Sequence, residues 1–262
     1  VACLAMNRVY FAEAAANPCV RAIIAPANAI GREPLSDKAL IISDLAEELY
    51  LHLHATQLSD IASDAPEIHA SALVDTTAVL RGHVKIEAGV QIGPRVVISG
   101  PAVVRRNACI DAGAIIGCDG LYAKVVQGER THIPHFGGVE IGEQVYVHAG
   151  AIIARSAIRH EATQIAKGAH IGIGANIGHD AIVGEAATLS SHCVIAGRAH
   201  IGAHAWVGAS ATISNAIRVG EHARIRLGAV VIRDVPPQGD VSGNFAVEHT
   251  RTLRNYLKGT EQ

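Results

Sequence analysis

His179 is the residue best suited to acid–base chemistry in this chain. It lies in the segment Asn176-Ile177-Gly178-His179-Asp180, two residues after an aliphatic position that recurs along the sequence. A neutral imidazole near pH 7 can take a proton from an attacking nucleophile, and a nearby carboxylate can hold its tautomer. The position is expected to project away from the core, so an ordinary surface histidine in a turn is the competing interpretation. The spacing of the residues leaves both interpretations open.

Composition excludes several classes of function. The net charge is −2 with a pI near 6.8, which gives no electrostatic footprint for nucleic acid. The five cysteines are scattered and form no CxxC pair, so neither a zinc site nor a disulfide framework is predicted. Of the 15 histidines, His200 and His204 are four apart but are expected on different faces, which argues against a metal site. Since no apolar run reaches about 18 residues, we expect no membrane span, and the reducing cytoplasm is the expected location.

A six-residue repeat decides the fold class. Six residues suit one short strand and one turn, whereas an α-helix would rotate the aliphatic position and an ordinary strand would show period two. The aliphatic residue is expected to point inward, glycine after it permits the tight turn, and successive coils stack into a β-helix. The repeat comprises Ile68, Val74, Leu80, Ile86, Ile92, Ile98, Val104, Ile110, Ile116, Ile141, Val147, Ile153, Ile165, Ile171, Ile177, Val183, Leu189, Ile195, Ile201, Val207, Ile213, Val219, Ile225 and Val231. Arg159 breaks the residue type of the repeat but keeps its spacing.

The breaks in the repeat divide the chain. Residues 1–65 lack it and are expected to form a small α/β domain, with a helix that Ser43 could cap and that runs to about Leu58. The β-helix is assigned to residues 66–235, because Pro236-Pro237 should end the coil. Residues 236–262 are expected to form a tail with a short helix over Glu248–Lys258.

One long insertion interrupts the coil. Ile116 and Ile141 are 25 residues apart, which is not a multiple of six. Residues 117–138 are therefore expected to leave the coil as a loop, and long loops on solenoids are often functional. A tolerated surface excursion is the alternative interpretation.

Several segments resemble the UDP-3-O-acylglucosamine N-acyltransferase family of hexapeptide-repeat sugar acyltransferases. They occur in the same order from about Cys3 to Lys258. The matching segments are Asn7-Arg8-Val9-Tyr10, Gly117-Cys118-Asp119-Gly120, the stretch 133–142 (IPHFGGVEIG), the stretch 177–184 (IGHDAIVG) and Ser242-Gly243-Asn244.

The resemblance implies a mainly β protein, a left-handed parallel β-helix with a small N-terminal α/β domain and a short C-terminal helix. It implies a homotrimer whose active sites lie in grooves between subunits. The implied reaction transfers an acyl group from acyl carrier protein or CoA to the amine of a nucleotide-linked amino sugar, without a tightly bound cofactor. His179 is implied as the base, with backbone N–H groups stabilising the oxyanion.

The resemblance also implies two sets of binding residues. The substrate set, with the uridine held by the first two, comprises Asn7, Tyr10, Asp119, His132, His135 and Arg155. The donor set comprises His192, Gly197, Arg233 and Asn244.

Departures from the family pattern leave more than one candidate acyl donor and acceptor. Leu4 stands where the family has a phenylalanine that stacks on uracil, and Ala154-Arg155-Ser156 replaces its Asp-Arg-Gly. His192 replaces a glycine and could crowd the donor channel, so acetyl-CoA is also a candidate donor. The alternatives are an acetyl-CoA-dependent N-acetyltransferase of a dTDP- or UDP-deoxyaminosugar, a zinc enzyme of the γ-carbonic-anhydrase kind, and a non-catalytic scaffold.

Overall fold

The computed structural model describes residues 2–55, 65–126 and 128–243, and it shows a left-handed parallel β-helix. Three parallel sheets form the sides of a prism, and the chain visits them in the order sheet 1, sheet 2, sheet 3. Strands that are neighbours in one sheet come from successive coils, so Val104 pairs with Ile86, 18 residues earlier. The stacked coil predicted from the six-residue repeat is therefore confirmed.

Most strands are only two to four residues long. Sheet 1 contains Glu67–Ile68, Val84–Ile86, Ala102–Val104, Gly138–Ile141, Ala162–Ile165, Ile182–Val183, His200–Ile201 and Arg218–Val219. Sheet 2 contains Leu73–Val74, Gln91–Ile92, Cys109–Ile110, Tyr146–Val147, His170–Ile171, Thr188–Leu189, Trp206–Val207, Arg224–Ile225 and Asp240–Val241. Sheet 3 contains Val79–Arg81, Val97–Ser99, Ile115–Cys118, Ile152–Ala154, Asn176–Ile177, Val194–Ile195, Thr212–Ile213 and Val230–Val231.

The aliphatic repeat forms the core of the prism. From Ile86 onward every aliphatic position of the repeat is buried. Ile68 is exposed, and Val74 and Leu80 are half-buried, because their coil is the first and pairs with a neighbour on one side only. Each buried aliphatic side chain stabilises the fold by about 1.5–3 kcal/mol relative to an exposed one.

A second buried ladder lies two residues before the first. Because side chains alternate across a strand, this position also points inward, and small residues fill the space between the large ones. It is occupied by Val84, Val90, Val96, Ala102, Ala108, Ala114, Val139, Val145, Ala151, Thr163, Ala169, Ala175, Ala181, Ala187, Cys193, Ala199, Ala205, Ala211, Ala223 and Ala229. Burial raises the pKa of the Cys193 thiol to about 12, so this cysteine is a packing residue.

At Gly178, which follows the aliphatic residue Ile177, the glycine is not explained by turn flexibility. A Cβ on Gly178 would stand 2.5 Å from the backbone nitrogen of Gly197 in the next coil. The left-handed backbone conformation falls two residues later, at Asp180, with φ 59°. Glycine is therefore required by the close approach of two coils.

Two insertions leave the coil at the corner between sheets 3 and 1. The long one contains an antiparallel hairpin of Ala123–Val126 and Glu129–His132. The short one lies between Ile152–Ala154 and Ala162–Ile165, and it lengthens the coil so that Ile141 pairs with Ile165, 24 residues later. Arg159 belongs to this short insertion, so its interpretation as a coil position that merely changes residue type was wrong. An insertion of six residues preserves a six-residue spacing and is invisible in the repeat.

The chain divides into two compact units, one formed by 1–62 with 121–134 and the other by 63–120 with 135–262. The first unit has a parallel sheet of Ala2–Leu4, Ala22–Ala25 and Ala39–Ile42, a short 3-10 turn at Ala27–Ala29, and helices α1 (Arg8–Ala16) and α2 (Ala46–Ala55).

The start of α2 differs from the prediction. Ser43 Oγ accepts the Leu45 N–H at 3.1 Å, and the helix begins at Ala46. The Ser43 carbonyl accepts the Ala46 N–H at 3.1 Å, so Ser43 closes the turn that leads into the helix.

The end of the coil lies beyond the predicted boundary at residue 235. Asp240–Val241 pairs with Arg224–Ile225, and Arg226 makes hydrogen bonds of 2.8 and 2.6 Å to the Asp240 carboxylate. Pro236-Pro237 therefore occupies a corner and does not end the coil. The predicted C-terminal helix and Asn244 lie outside the described residues. In the described residues, no helix is long and apolar enough to cross a membrane.

Candidate active site

The candidate site lies at one corner of the prism. His179 follows Asn176–Ile177 of sheet 3 and precedes Ile182–Val183 of sheet 1. Both insertions leave the coil at this same corner in earlier coils. Their closing residues therefore meet the histidine, and the side chain of His179 is only 16% exposed.

His179 and Asp180 form a hydrogen-bonded pair. His179 Nδ1 lies 2.6 Å from Asp180 Oδ2. The left-handed backbone of Asp180 turns its carboxylate back toward the preceding ring, and its N–H donates to Thr163 Oγ1 at 2.9 Å. With the carboxylate at Nδ1, the neutral ring carries its proton there and presents the Nε2 lone pair.

The short insertion supplies the other partners of Asp180. Ser156 Oγ donates to Asp180 Oδ1, and the Ala157 N–H donates to the same oxygen at 3.2 Å. Burial by itself would raise the pKa of Asp180, but hydrogen bonds from His179 and Ser156 outweigh it and hold that pKa below its ordinary value. The Asp180 carboxylate is therefore ionised throughout the physiological pH range.

The imidazole is closely packed on two sides. The His135 ring meets it edge to face, with centroids 5.2 Å apart and planes at 84°. A Cβ on Gly120 would stand 2.9 Å from His179 Cδ2, and one on Gly197 would stand 2.6 Å from His179 Nε2. Glycine at both positions lets the long insertion and the next coil approach the ring.

Arg155 and Asp119 hold the base of the long insertion. Arg155 Nε donates to the Gly117 carbonyl at 2.6 Å and lies 3.5 Å from Asp119 Oδ1. Asp119 Oδ2 accepts the backbone N–H of His135 at 3.3 Å. Burial lowers the pKa of Arg155, and the nearby Asp119 opposes this effect. The contacts of these two predicted substrate residues are with the protein itself and shape the loop.

The comparisons with known proteins agree with the β-helix fold. A solved structure of UDP-N-acetylglucosamine acyltransferase from Francisella novicida superposes with a TM-score of 0.58 and 26% identity, covering 73% of this chain and 71% of that chain. The chain therefore shares the β-helix fold of a hexapeptide-repeat acyltransferase. No family model matches the chain.

Curated relatives match this chain over shorter stretches. UDP-3-O-acylglucosamine N-acyltransferase of Polynucleobacter asymbioticus is 31% identical over 140 residues, which is 40% of this chain and 39% of the relative. Carnitine operon protein CaiE of Escherichia coli K12 is 33% identical over 109 residues, covering 38% of this chain and 54% of that protein. The chain thus spans about two-fifths and about half of the length of these two relatives.

Part of the predicted site surrounds His179. Asp119, His135, Arg155 and Gly197 lie at its corner of the prism. Arg233 is exposed at the same corner, three coils further along.

The remaining predicted site residues in the described chain belong to other elements. His192 is exposed at the corner between sheets 2 and 3, so it does not line the His179 corner of its own chain. Asn7, Tyr10 and His132 belong to the α/β unit. Asn7 Oδ1 caps α1 by accepting the Tyr10 N–H at 3.0 Å, and Tyr10 is 53% exposed.

Sequence reasoning missed Ser156 and Thr163. Both are fully buried polar residues that contact Asp180, yet they lie 24 and 17 residues before it. Spacings near 18 mark neighbours in adjacent coils, and this signal points to Thr163. Ser156 gives no such signal, because the short insertion shifts it out of register.

No group of three or more histidine, cysteine or acidic residues within the described ranges could hold a metal ion. All five cysteines are in the described part of the chain and are thiols.

Proposed function

We propose that this chain transfers an acyl group from a phosphopantetheine thioester to the amine of a nucleotide-linked amino sugar, with His179 as general base. The observation that carries the proposal is the hydrogen-bonded His179–Asp180 pair. Its Nδ1–Oδ2 contact leaves the Nε2 atom facing Gly197. A carboxylate–imidazole pair of this kind activates a weak nucleophile in many acyl-transfer enzymes.

The proposed reaction needs one base and one oxyanion donor. The sugar nitrogen attacks the thioester carbonyl and gives its proton to His179 Nε2 as the C–N bond forms. The tetrahedral intermediate then breaks its C–S bond, and the thiolate takes the proton back from the imidazolium. Asp180 stabilises that imidazolium in both steps, because it stays ionised beside Nδ1.

The backbone N–H of Gly197 is suited to be the oxyanion donor. Among the described residues nothing accepts its backbone N–H, and its Cα lies against the imidazole. An N–H next to the base is suited to hold the developing oxyanion, which typically contributes about 3–4 kcal/mol to catalysis.

Exposed arginines support a phosphate-bearing donor. The coils after His179 bring Arg198, Arg218 and Arg233 to the same corner and the adjoining edge of sheet 1. Since coils are spaced by about 4.8 Å, Arg233 lies about 14 Å along the prism from His179. A phosphopantetheine arm can span such a distance, and acyl carrier protein and CoA both carry phosphate at its far end.

The outer face of sheet 3 supports assembly into a homotrimer. Its outward positions are mostly aliphatic, whereas those of sheet 1 are mostly polar or charged. The aliphatic positions are Val79, Val97, Ile115, Ile152, Val194 and Val230. Such a stripe along the whole prism fits packing against further copies of the chain. In that arrangement a neighbour's corner can bring its own His192 to the donor groove.

The α/β unit is proposed to hold the nucleotide. Tyr10 presents an exposed ring on α1, which suits stacking on a pyrimidine. Asn7 and His132 complete this proposed set. The five thiols are consistent with a reducing cytoplasm, the expected location.

A second candidate differs in the acceptor atom. The Francisella novicida protein is named for UDP-N-acetylglucosamine, a sugar whose nitrogen already carries an acetyl group. By analogy the acceptor could be a sugar hydroxyl, and the same base would serve it. Acetyl-CoA is the alternative donor, on the ground that His192 stands where the family has glycine.

The test is a free-thiol release assay with acceptors and donors varied separately. UDP-3-O-acylglucosamine offers an amine and UDP-N-acetylglucosamine offers only hydroxyls, and each is combined with acetyl-CoA, acyl-CoA or acyl carrier protein. Thiol release with the amine acceptor, lost in His179→Ala while the assembly persists, supports the proposal. Release with the hydroxyl acceptor alone would favour the second candidate, and no release with any pair would favour a scaffold.

A further inference from the structure

Ser156 makes a fully buried polar contact in the site. Its side chain has no exposure, and it comes from the short insertion, far from Asp180 in sequence. The resembling family has glycine at this place, so the contact distinguishes this chain from that pattern.

The hydrogen bonds around Ser156 fix where its proton points. The Ile158 N–H donates to Ser156 Oγ at 3.1 Å, so one lone pair is already used. The hydroxyl proton can go to Asp180 Oδ1 or to the Ile158 carbonyl at 3.2 Å. The contact with the carboxylate is the shorter one, and a charged acceptor makes the stronger hydrogen bond.

Asp180 is consequently held at both oxygens. Oδ1 receives Ser156 Oγ–H and Ala157 N–H, which leaves Oδ2 for His179 Nδ1. Two donors at Oδ1 fix the plane of the carboxylate, and a fixed plane keeps Oδ2 aimed at the imidazole. Ser156 lies on the opposite side of Asp180 from the ring, so it does not act as a nucleophile.

We propose that Ser156 is a positioning residue, the third member of a Ser156–Asp180–His179 relay that sets the tautomer and direction of the base. This inference rests on the proposed function, because it assigns Ser156 a part in that same reaction. The competing explanation is that Ser156 only closes the turn of the short insertion.

The first experiment compares Ser156→Ala with wild type and with Ser71→Ala, which removes a hydroxyl that accepts a backbone N–H at the corner between sheets 1 and 2. Alanine keeps the Cβ and removes the hydroxyl. We expect kcat to fall by about tenfold to a hundredfold while KM for both substrates stays within about twofold. The acid limb of the kcat profile should move to higher pH, because Asp180 loses a donor that favours its ionised form. Ser71→Ala should match wild type in all three measurements.

The second experiment measures the tautomer of His179 directly and does not depend on enzyme turnover. Protein labelled with ¹⁵N-histidine shows the tautomer of each ring by NMR, and His179→Gln identifies the His179 signals. Wild type should hold the proton on Nδ1, and Ser156→Ala should show a mixture of tautomers.

The outcomes separate this inference from the proposed function. If wild type releases no thiol with any substrate pair, the proposed function fails, and the tautomer comparison still decides whether Ser156 orients the pair. If Ser156→Ala keeps the wild-type tautomer and acid limb, and loses activity only in proportion to its loss of folded protein, the relay is overturned and Ser156 is a turn residue.

Discussion

Replacing Asp180 by asparagine should remove the base while keeping the shape of the site. Asparagine can place its carbonyl oxygen at the Oδ1 or the Oδ2 position. With the amide group at Oδ1, the Ala157 N–H would face another donor across 3.2 Å. An unsatisfied buried N–H costs about 1–3 kcal/mol, so the carbonyl oxygen should take the Oδ1 position in most molecules.

That orientation turns the amide NH₂ toward His179. Nδ1 must then accept a hydrogen bond, the ring proton moves to Nε2, and no lone pair remains there to take a proton. General-base catalysis contributes about 10²- to 10⁴-fold, so we expect kcat to fall by that factor, or about 3 to 5 kcal/mol of barrier. KM for both substrates should change little, because Asp180 touches neither in the proposed reaction.

The assay is steady-state thiol release for Asp180→Asn beside Asp75→Asn, which removes an exposed carboxylate in the first coil. The control should keep wild-type kcat. If kcat of Asp180→Asn lies within about threefold of wild type, the carboxylate does not set the tautomer and the proposed mechanism is refuted.

Acid unfolding gives an independent measure of the same carboxylate. The folded pKa of Asp180 lies below its ordinary value, so its stabilising effect is complete above about pH 4 and is lost as pH falls through the folded pKa. The melting temperature of Asp180→Asn should therefore fall less than that of wild type between about pH 4 and pH 2. Identical acid profiles would show that ionised Asp180 adds no stability.

Three further outcomes test the packing, the nucleotide site and the core. Gly197→Ala should lower kcat by at least about tenfold, because the new Cβ would stand 2.6 Å from His179 Nε2; wild-type kcat would show that the ring can move without loss. Tyr10→Ala should raise KM for the sugar nucleotide more than it lowers kcat, and an unchanged KM would count against the nucleotide role of α1. Ile171→Ala should destabilise the fold by about 2–5 kcal/mol in urea unfolding, because Ile171 is fully buried. The control Ile173→Ala, at a residue 53% exposed, should stay within about 0.5 kcal/mol, and equal effects of the two would contradict the inward assignment.

The six-residue repeat predicted the stacked coils of the β-helix from the sequence alone. A residue such as Ile177 has one inward direction in a short strand, and its neighbours above and below are set by the number of residues per coil. Hydrophobic period and coil length are both local properties, so they can be counted along the sequence. The same count located the long insertion between Ile116 and Ile141, and it marked His179 as a residue outside the core.

Tertiary structure alone decided which residues surround His179. Ser156 reaches Asp180, and His135 and Gly120 reach the imidazole, from two insertions whose paths depend on packing and hydrogen bonding, not on the coil period. The short insertion adds six residues, so it does not change the six-residue spacing and cannot be detected from the repeat. A periodic pattern therefore reports what repeats, whereas the chemistry of this corner comes from the segments that depart from the period.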